Sequence, residues 1–246
     1  IPNIRSNYTV TDKADGERKL LLINNKGRVY LIDTNMNAQF TGAVTSNKML
    51  FNTLLDGEHI LNDKLGRFIN LYAAFDVYFI NKKDIRKLAF TALRSEKQDI
   101  TDKSELVKSF RLPALADVVN KLALKALNGS LSPLRVNVKS FYTADERQTI
   151  FQCCNLILKR VEDDLYEYET DGLIFTPTNL GVGLNSSKEE VKNMKTTWDY
   201  SFKWKPTEFN TIDFLVSTKK QENGQEYVGN IFQEGTDLSI ANQIQQ

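Results

Sequence analysis

The first eighty residues alternate short runs of β-branched and aromatic residues with turn residues, and this texture restricts the chain to an antiparallel framework. Lys19 to Ile23 and Arg28 to Ile32 flank the turn Asn24-Asn25-Lys26-Gly27, and Glu58 to Leu61 and Phe68 to Tyr78 follow. Strands this short, separated by turns rather than helical crossovers, pair as hairpins. From about Asn81 the pattern becomes charged and helical, over Lys82 to Leu93, Ser104 to Phe110 and Leu115 to Leu127, the last closed by Asn128-Gly129. Thr143-Ala144-Asp145-Glu146 carries the cap and acids of a helix start and predicts a helix to about Val161. β patterning returns at Gly172 to Thr176, Ser201 to Lys205 and Thr211 to Ser217. The helices therefore read as an insertion in an α+β fold, not as the βαβ alternation of a dinucleotide domain. Gly181-Val182-Gly183 and the polar stretch after it read as a surface loop.

Composition narrows the function classes. A chain of 246 residues holds one large core, or one domain and part of another. Its net charge of +1 excludes a globally basic nucleic-acid binder, so any RNA-facing surface must be a local patch. His59 is the only histidine, which leaves no material for a histidine pair, and it reads as structural. Cys153 and Cys154 are adjacent in an apolar helical pattern, which suits core packing in a reducing compartment better than a disulfide or a zinc site. The Gly-Lys-Ser/Thr phosphate loop is absent. No apolar run approaches the ~20 residues that span a membrane. The start Ile1-Pro2-Asn3 has neither an initiator methionine nor a signal pattern, and reads as a piece cut from a longer cytoplasmic protein.

The run from Tyr8 to Arg18 carries the chemistry. It sets Lys13 two residues ahead of Asp15-Gly16 and five ahead of Arg18, on an expected strand-turn-strand. A lysine there is a candidate amine nucleophile aimed at a phosphate. At pH 7 the neutral amine costs about 4.6 kcal/mol from the reference lysine value, so the chemistry calls for neighbouring cations and partial desolvation. Lys203 and Lys205 lie two apart on an expected strand, hence on one face, with Trp204 turned the other way. Two ammoniums side by side repel each other and suit an anionic partner. Read without context, Lys13 is a solvated strand-end lysine, Arg18 and Glu58 are hairpin charges, Phe75 is core, and Glu169 alternating with Asp171 is a strand edge.

Five segments in order change that weighting: Lys13-Ala14-Asp15-Gly16-Glu17-Arg18, Asp56-Gly57-Glu58, Tyr72-Ala73-Ala74-Phe75-Asp76-Val77, Glu169-Thr170-Asp171-Gly172-Leu173-Ile174-Phe175-Thr176-Pro177 and Phe202-Lys203-Trp204-Lys205-Pro206. Together they resemble the covalent nucleotidyltransferases, the superfamily of polynucleotide ligases and mRNA capping guanylyltransferases. The fourth and fifth segments look like capping enzyme, and most like the guanylyltransferase module of the large multifunctional capping enzymes of cytoplasmic DNA viruses.

This resemblance implies an ATP-grasp-like, antiparallel α+β nucleotidyltransferase domain over residues 1–209, with a helical insertion. Residues 210–246 would then be a linker or the start of a C-terminal OB-fold, entered by Asn210 to Val216. It implies an mRNA guanylyltransferase that moves GMP from GTP to Lys13 and on to the 5′-diphosphate end of RNA. By the same resemblance Asp15 and Gly16 shape the turn that aims the amine, and Arg18 meets the ribose. Glu58 meets the ribose or a metal-bound water, Phe75 and Ile174 sandwich the purine, and Lys203 and Lys205 clamp phosphate. Asp171, with Glu58 and Glu169, would hold Mg²⁺ or Mn²⁺. Fused RNA triphosphatase and cap methyltransferase modules, a viral factory or virion as the place of action, and no membrane partner are further implications. An ATP-dependent ligase with the same lysine chemistry, and a catalytically silent nucleotide-binding scaffold, are the competing readings. Two departures from the family pattern stand out: Leu31-Ile32-Asp33-Thr34 lacks the arginine expected after Ile-Asp, and no Arg-x-Asp-Lys-like sixth segment is present.

Overall fold

A computed structural model describes residues 3–93, 102–145, 148–186, 198–209 and 218–228. In chain order its strands begin with β1 (Tyr8–Ala14), β2 (Glu17–Ile23), β3 (Arg28–Ile32), β4 (Ala38–Val44), β5 (Thr53–Asn62), β6 (Phe68–Ile80) and β7 (Lys83–Asp84). Then come β8 (Lys125–Ala126), β9 (Arg135–Val138), β10 (Tyr142–Thr143), β11 (Thr170–Pro177), β12 (Phe202–Trp204), β13 (Thr218–Lys220) and β14 (Glu226–Val228). The α-helices among the described residues are α1 (Lys103–Ser109), α2 (Arg111–Asn120) and α3 (Ile150–Glu162).

The chain divides into two compact units, Ile1–Glu208 and Phe209–Gln246. Within the first, one sheet runs β10-β1-β11-β12, and a second runs β7-β6-β5-β2-β3-β4-β8 with β9 added parallel to β6. Every other pairing between these strands is antiparallel, as the turn-rich sequence requires. The described part of the second unit is the hairpin β13–β14, turned at Gly224 with φ +82°. The strand expected over Thr211 to Ser217 lies outside the described residues.

Each sheet is closed by a helix on one face. Leu21, Ile23, Leu55, Tyr72 and Val77 of the larger sheet pack against Leu115 and Val118 of α2 and Leu122 after it. Tyr8, Val10, Leu173 and Phe175 of the smaller sheet pack against Ile150, Cys153, Cys154 and Ile157 of α3, each fully buried isoleucine stabilising by roughly 1.5–3 kcal/mol. Both cysteines are unpaired and buried, and burial pushes the Cys153 thiol up to about 11.

Where helices form differs from the sequence expectation in three places. Lys82 to Leu93 is not helical: it is interrupted by two turns, one where Asn81 and Lys82 take positive φ and one where the Leu88 amide donates to the Ile85 carbonyl, after which Ala89 and Phe90 accept the Arg111 and Leu112 amides. The helix expected over Leu115 to Leu127 starts at Arg111 and stops at Asn120, because Ala123 at φ +42° breaks it, and Asn128-Gly129 closes the turn after β8. The third helix is capped by Thr149, not Thr143, which is in β10; Thr149 and Gln152 form a reciprocal capping box. Strand β4 was not legible in the pattern, and Gly181, expected in a surface loop, is buried against Arg86.

Arg111 ties the helical insertion to the larger sheet. Its guanidinium is fully buried and donates to both Asp76 oxygens, at 2.8 and 3.1 Å, and to the carbonyls of Leu88 and Leu180. Burial raises the Asp76 carboxyl, and the Arg111 charge and hydrogen bonds oppose that rise.

Candidate active site

Three Asp-Gly pairs mark the site, and each glycine does a different backbone job. Asp15-Gly16 is not a hairpin turn: β1 and β2 belong to different sheets, and the pair carries the chain from one to the other. A Cβ on Gly16 would sit 2.8 Å from the His59 carbonyl oxygen, and the Asp15 amide donates to the Glu169 carbonyl at 2.8 Å. Asp56-Gly57-Glu58 is likewise no turn, because it runs through the middle of β5. A Cβ on Gly57 would sit 2.6 Å from the Tyr72 ring, so glycine makes room for that buried tyrosine.

The third pair builds a bulge opposite Lys13. Asp12 pairs with Leu173 and Ala14 with Thr170, so Asp171 and Gly172 together face the single residue Lys13. The amine of Lys13 donates to Asp171 Oδ1 at 2.5 Å, and Lys205 Nζ reaches Asp171 Oδ2 at 2.8 Å. Burial raises the Asp171 carboxyl, but the hydrogen bonds from Lys13 and Lys205 outweigh it and hold the group below the ordinary carboxylate range. Gly172 has φ +143°, and a Cβ there would stand 2.0 Å from the Trp204 carbonyl oxygen. Only glycine lets β12 approach closely enough to deliver Lys203 and Lys205. Gly172→Val is therefore expected to detach β12, seen as faster amide exchange at Leu173 and Phe175; unchanged protection of both amides would contradict this.

Around this centre the structure gathers most of the expected residues. Ile174 pairs with Thr11 on one side and Lys203 on the other, so all three share a face. Lys203 is exposed and has no carboxylate within salt-bridge reach among the described residues, while Trp204 is turned away, across from Leu173. Arg18 pairs across β2–β5 with Glu58 and donates to both oxygens of the buried Asp56, at 3.1 and 2.7 Å. The Tyr78 hydroxyl donates to the same carboxylate. Burial raises the Glu58 carboxyl, against the pull of Lys139, Lys13 and Lys203. Phe75 is the unpaired residue where the β5–β6 register slips, between Asp56↔Asp76 and Gly57↔Ala74, a bulge that re-aims its half-buried ring. The Glu169 side chain is exposed, and its part in the site is the carbonyl that holds Asp15.

Sequence reasoning missed two charged groups beside the nucleophile strand. Lys139 is buried and donates to the Asp12 carbonyl at 2.6 Å, with its amine 2.9 Å from the Asp12 carboxylate, which also accepts from Tyr168 at 3.1 Å. Asp56, passed over as part of a turn, is the anchor of Arg18. Among the described residues no three His, Cys, Asp or Glu side chains cluster as a metal cage. Both oxygens of Asp171, the carboxylate expected to hold Mg²⁺ or Mn²⁺, are engaged here by Lys13 and Lys205.

The model of the mRNA capping enzyme catalytic domain matches residues 4–207. The chain belongs to the mRNA capping enzyme catalytic-domain family. The chain is 29% identical over 254 residues to the "probable mRNA-capping enzyme" of Acanthamoeba polyphaga mimivirus, covering 93% of this chain and 20% of the relative. It is 25% identical to the mRNA-capping enzyme of Danio rerio, over 98% of this chain and 38% of the relative. It is 28% identical to the mRNA-capping enzyme subunit alpha of Schizosaccharomyces pombe, over 85% of this chain and 48% of the relative. The chain thus spans between a fifth and about half of the length of these relatives. Among solved structures, a mycobacterial DNA ligase D complexed with ATP and MES aligns with a TM-score of 0.42 at 13% identity, over 71% of this chain and 49% of that one. No helix among the described residues is long and apolar enough to cross a membrane.

Proposed function

We propose that this domain transfers GMP from GTP to the Lys13 amine and then to the 5′-diphosphate end of RNA. The observation that carries the reading is the Lys13–Asp171–Lys205 arrangement inside a match to the capping catalytic domain. In the first step the Lys13 nitrogen, having lost its proton to solvent, bonds the α-phosphorus while the bond to the β-phosphate oxygen breaks and pyrophosphate leaves. The second step reverses the roles: a terminal phosphate oxygen of the RNA bonds the same phosphorus and the lysine nitrogen departs with a proton.

The geometry supports a part for each residue. Asp171 holds the resting ammonium of Lys13 in line with the cleft, and Lys205, sharing that carboxylate, is placed to meet the phosphate charge. Lys203, with no carboxylate of its own, adds a second cation on the Ile174 face. Arg18 keeps its outer N–H groups free for the ribose because Asp56 and Tyr78 fix its inner edge. Phe75 and Ile174 cover the purine. Asp171, with Glu58 near, would hold the divalent ion, which when bound offsets charge on the phosphates. Fused triphosphatase and methyltransferase modules, and action in a viral factory, remain part of this proposal.

Removing Lys203 or Lys205 by alanine substitution is expected to slow covalent transfer by about a hundredfold or more, the loss typical of one preorganised transition-state donor. Melting temperature should hardly change, since partly exposed ion pairs contribute little stability. A variant that loses stability and keeps its rate would make the pair structural. Labelled GTP and ATP, offered separately, distinguish this activity from ligase chemistry.

A further inference from the structure

The face of the larger sheet turned away from α2 continues outward from Arg18, and its composition is unusual for a solvent face. Register places Arg18 beside Glu58, Leu20 between Asp56 and Ile32, and Leu22 between Leu54 and Tyr30, with Tyr30 opposite Phe40. Paired residues share a face, so these side chains form one ladder across β5, β2, β3 and β4. Alternation confirms the assignment: Leu21, Ile23, Val29 and Leu31 are buried in the core, whereas Leu20, Leu22, Tyr30 and Ile32 are half-buried and Arg28 and Phe40 exposed.

At the far end the ladder closes in an aromatic and cationic group. The Tyr30 and Phe40 rings lie 5.4 Å apart, tilted by 46°, and the Arg28 guanidinium sits 5.8 Å over the Phe40 ring. Neither Arg28 nor Lys26, in the adjoining turn, has a carboxylate within salt-bridge reach among the described residues. The carboxylates at the near end are Asp56, held by Arg18 and Tyr78, and Glu58. Asp33 turns its oxygens onto the amides of its own turn. By strand geometry Phe40 stands on the order of 16 Å from Arg18, four residues along β2 and two strands across.

We propose that this face carries the single-stranded segment of the acceptor RNA behind its 5′ end, a base stacking on Phe40 and Tyr30 and backbone phosphates meeting Arg28 and Lys26. The inference rests on the guanylyltransferase reading. An exposed aromatic ring backed by a half-buried one, beside cations free of carboxylates, is the chemistry by which proteins hold single strands without reading sequence, and a chain of net charge +1 needs such a local patch to hold a polyanion. The patch is continuous with Arg18, where the reacting end would be.

The test uses the full chain and its Phe40→Ala and Arg28→Gln variants. Two quantities are measured: affinity for 5′-diphosphate oligoribonucleotides of three and twelve nucleotides at several salt concentrations, and covalent labelling by GTP. The proposal expects each variant to bind the twelve-mer about tenfold more weakly, the three-mer nearly as before, and Arg28→Gln to flatten the salt dependence by about one phosphate contact. Labelling by GTP should be unchanged. Wild-type affinity for the twelve-mer in both variants overturns the proposal, and so does a matching loss of GTP labelling, which would make the face part of the nucleotide-transfer machinery rather than an RNA surface. Arg28 is exposed, so its variant remains informative if Phe40→Ala fails to fold. Failure of the wild-type chain to label at all strikes the guanylyltransferase reading, and the binding comparison still decides the RNA face.

Discussion

Replacing Lys13 by alanine or by arginine is expected to abolish the covalent GMP adduct while leaving the fold intact. The two variants separate charge from nucleophilicity. Alanine removes the amine and its 2.5 Å bond to Asp171. Arginine preserves a cation that can still satisfy that carboxylate, yet guanidinium does not give up its proton near neutral pH and has no lone pair to offer phosphorus. Both should therefore fail alike, although only alanine leaves Asp171 short of a partner. Labelling with radioactive GTP, followed by denaturing electrophoresis, reads the outcome, and circular dichroism checks the fold. Undiminished labelling of either variant would move the nucleophile elsewhere.

Arg111→Met should have the largest effect on stability, lowering the unfolding free energy by about 3–5 kcal/mol. The guanidinium is wholly buried and satisfies Asp76 and two carbonyls, so its loss strands a carboxylate and two acceptors in the interior. Denaturant unfolding measures it. Changing Asp76 to leucine in the same chain should recover much of the loss, because an apolar pair can replace a buried ion pair at little net cost. Nucleotide affinity should not recover with it, since Asp76 flanks the bulge at Phe75 and its carboxylate accepts from the Val77 amide. A single variant as stable as the parent would mean that water reaches Asp76.

The residues proposed to carry chemistry were legible because they fall in short runs whose spacing is visible in one dimension. Lys13, Asp171, Ile174 and Lys203 do converge, on adjacent strands β1, β11 and β12, with Lys205 directly after β12. Less visible was what the glycines do. Two Asp-Gly pairs read as turns, yet one links two sheets and one lies within a strand, and the third, read as a strand edge, forms a bulge; at each glycine a Cβ would meet His59, Tyr72 or Trp204. The charged anchors were hidden for a related reason. Asp56 meets Arg18 across 38 residues, Arg111 meets Asp76 across 35 and Lys139 meets Asp12 across 127, separations that leave no local periodicity. The false helix over Lys82 to Leu93 shows the converse, an amphipathic pattern overridden by the turn at Asn81 and Lys82 and by pairing with the Arg111 segment.

The central claim is that guanine nucleotide becomes bonded to one particular lysine. The direct measurement incubates the chain separately with labelled GTP and labelled ATP in the presence of Mg²⁺ or Mn²⁺, digests the product, and locates the modified peptide by mass. The account predicts a GMP mass on the peptide containing Lys13, labile to acid and stable to alkali, with ATP giving little or none. An AMP adduct on Lys13 would make the chain a ligase-type enzyme, and an adduct on any other lysine would contradict the account outright.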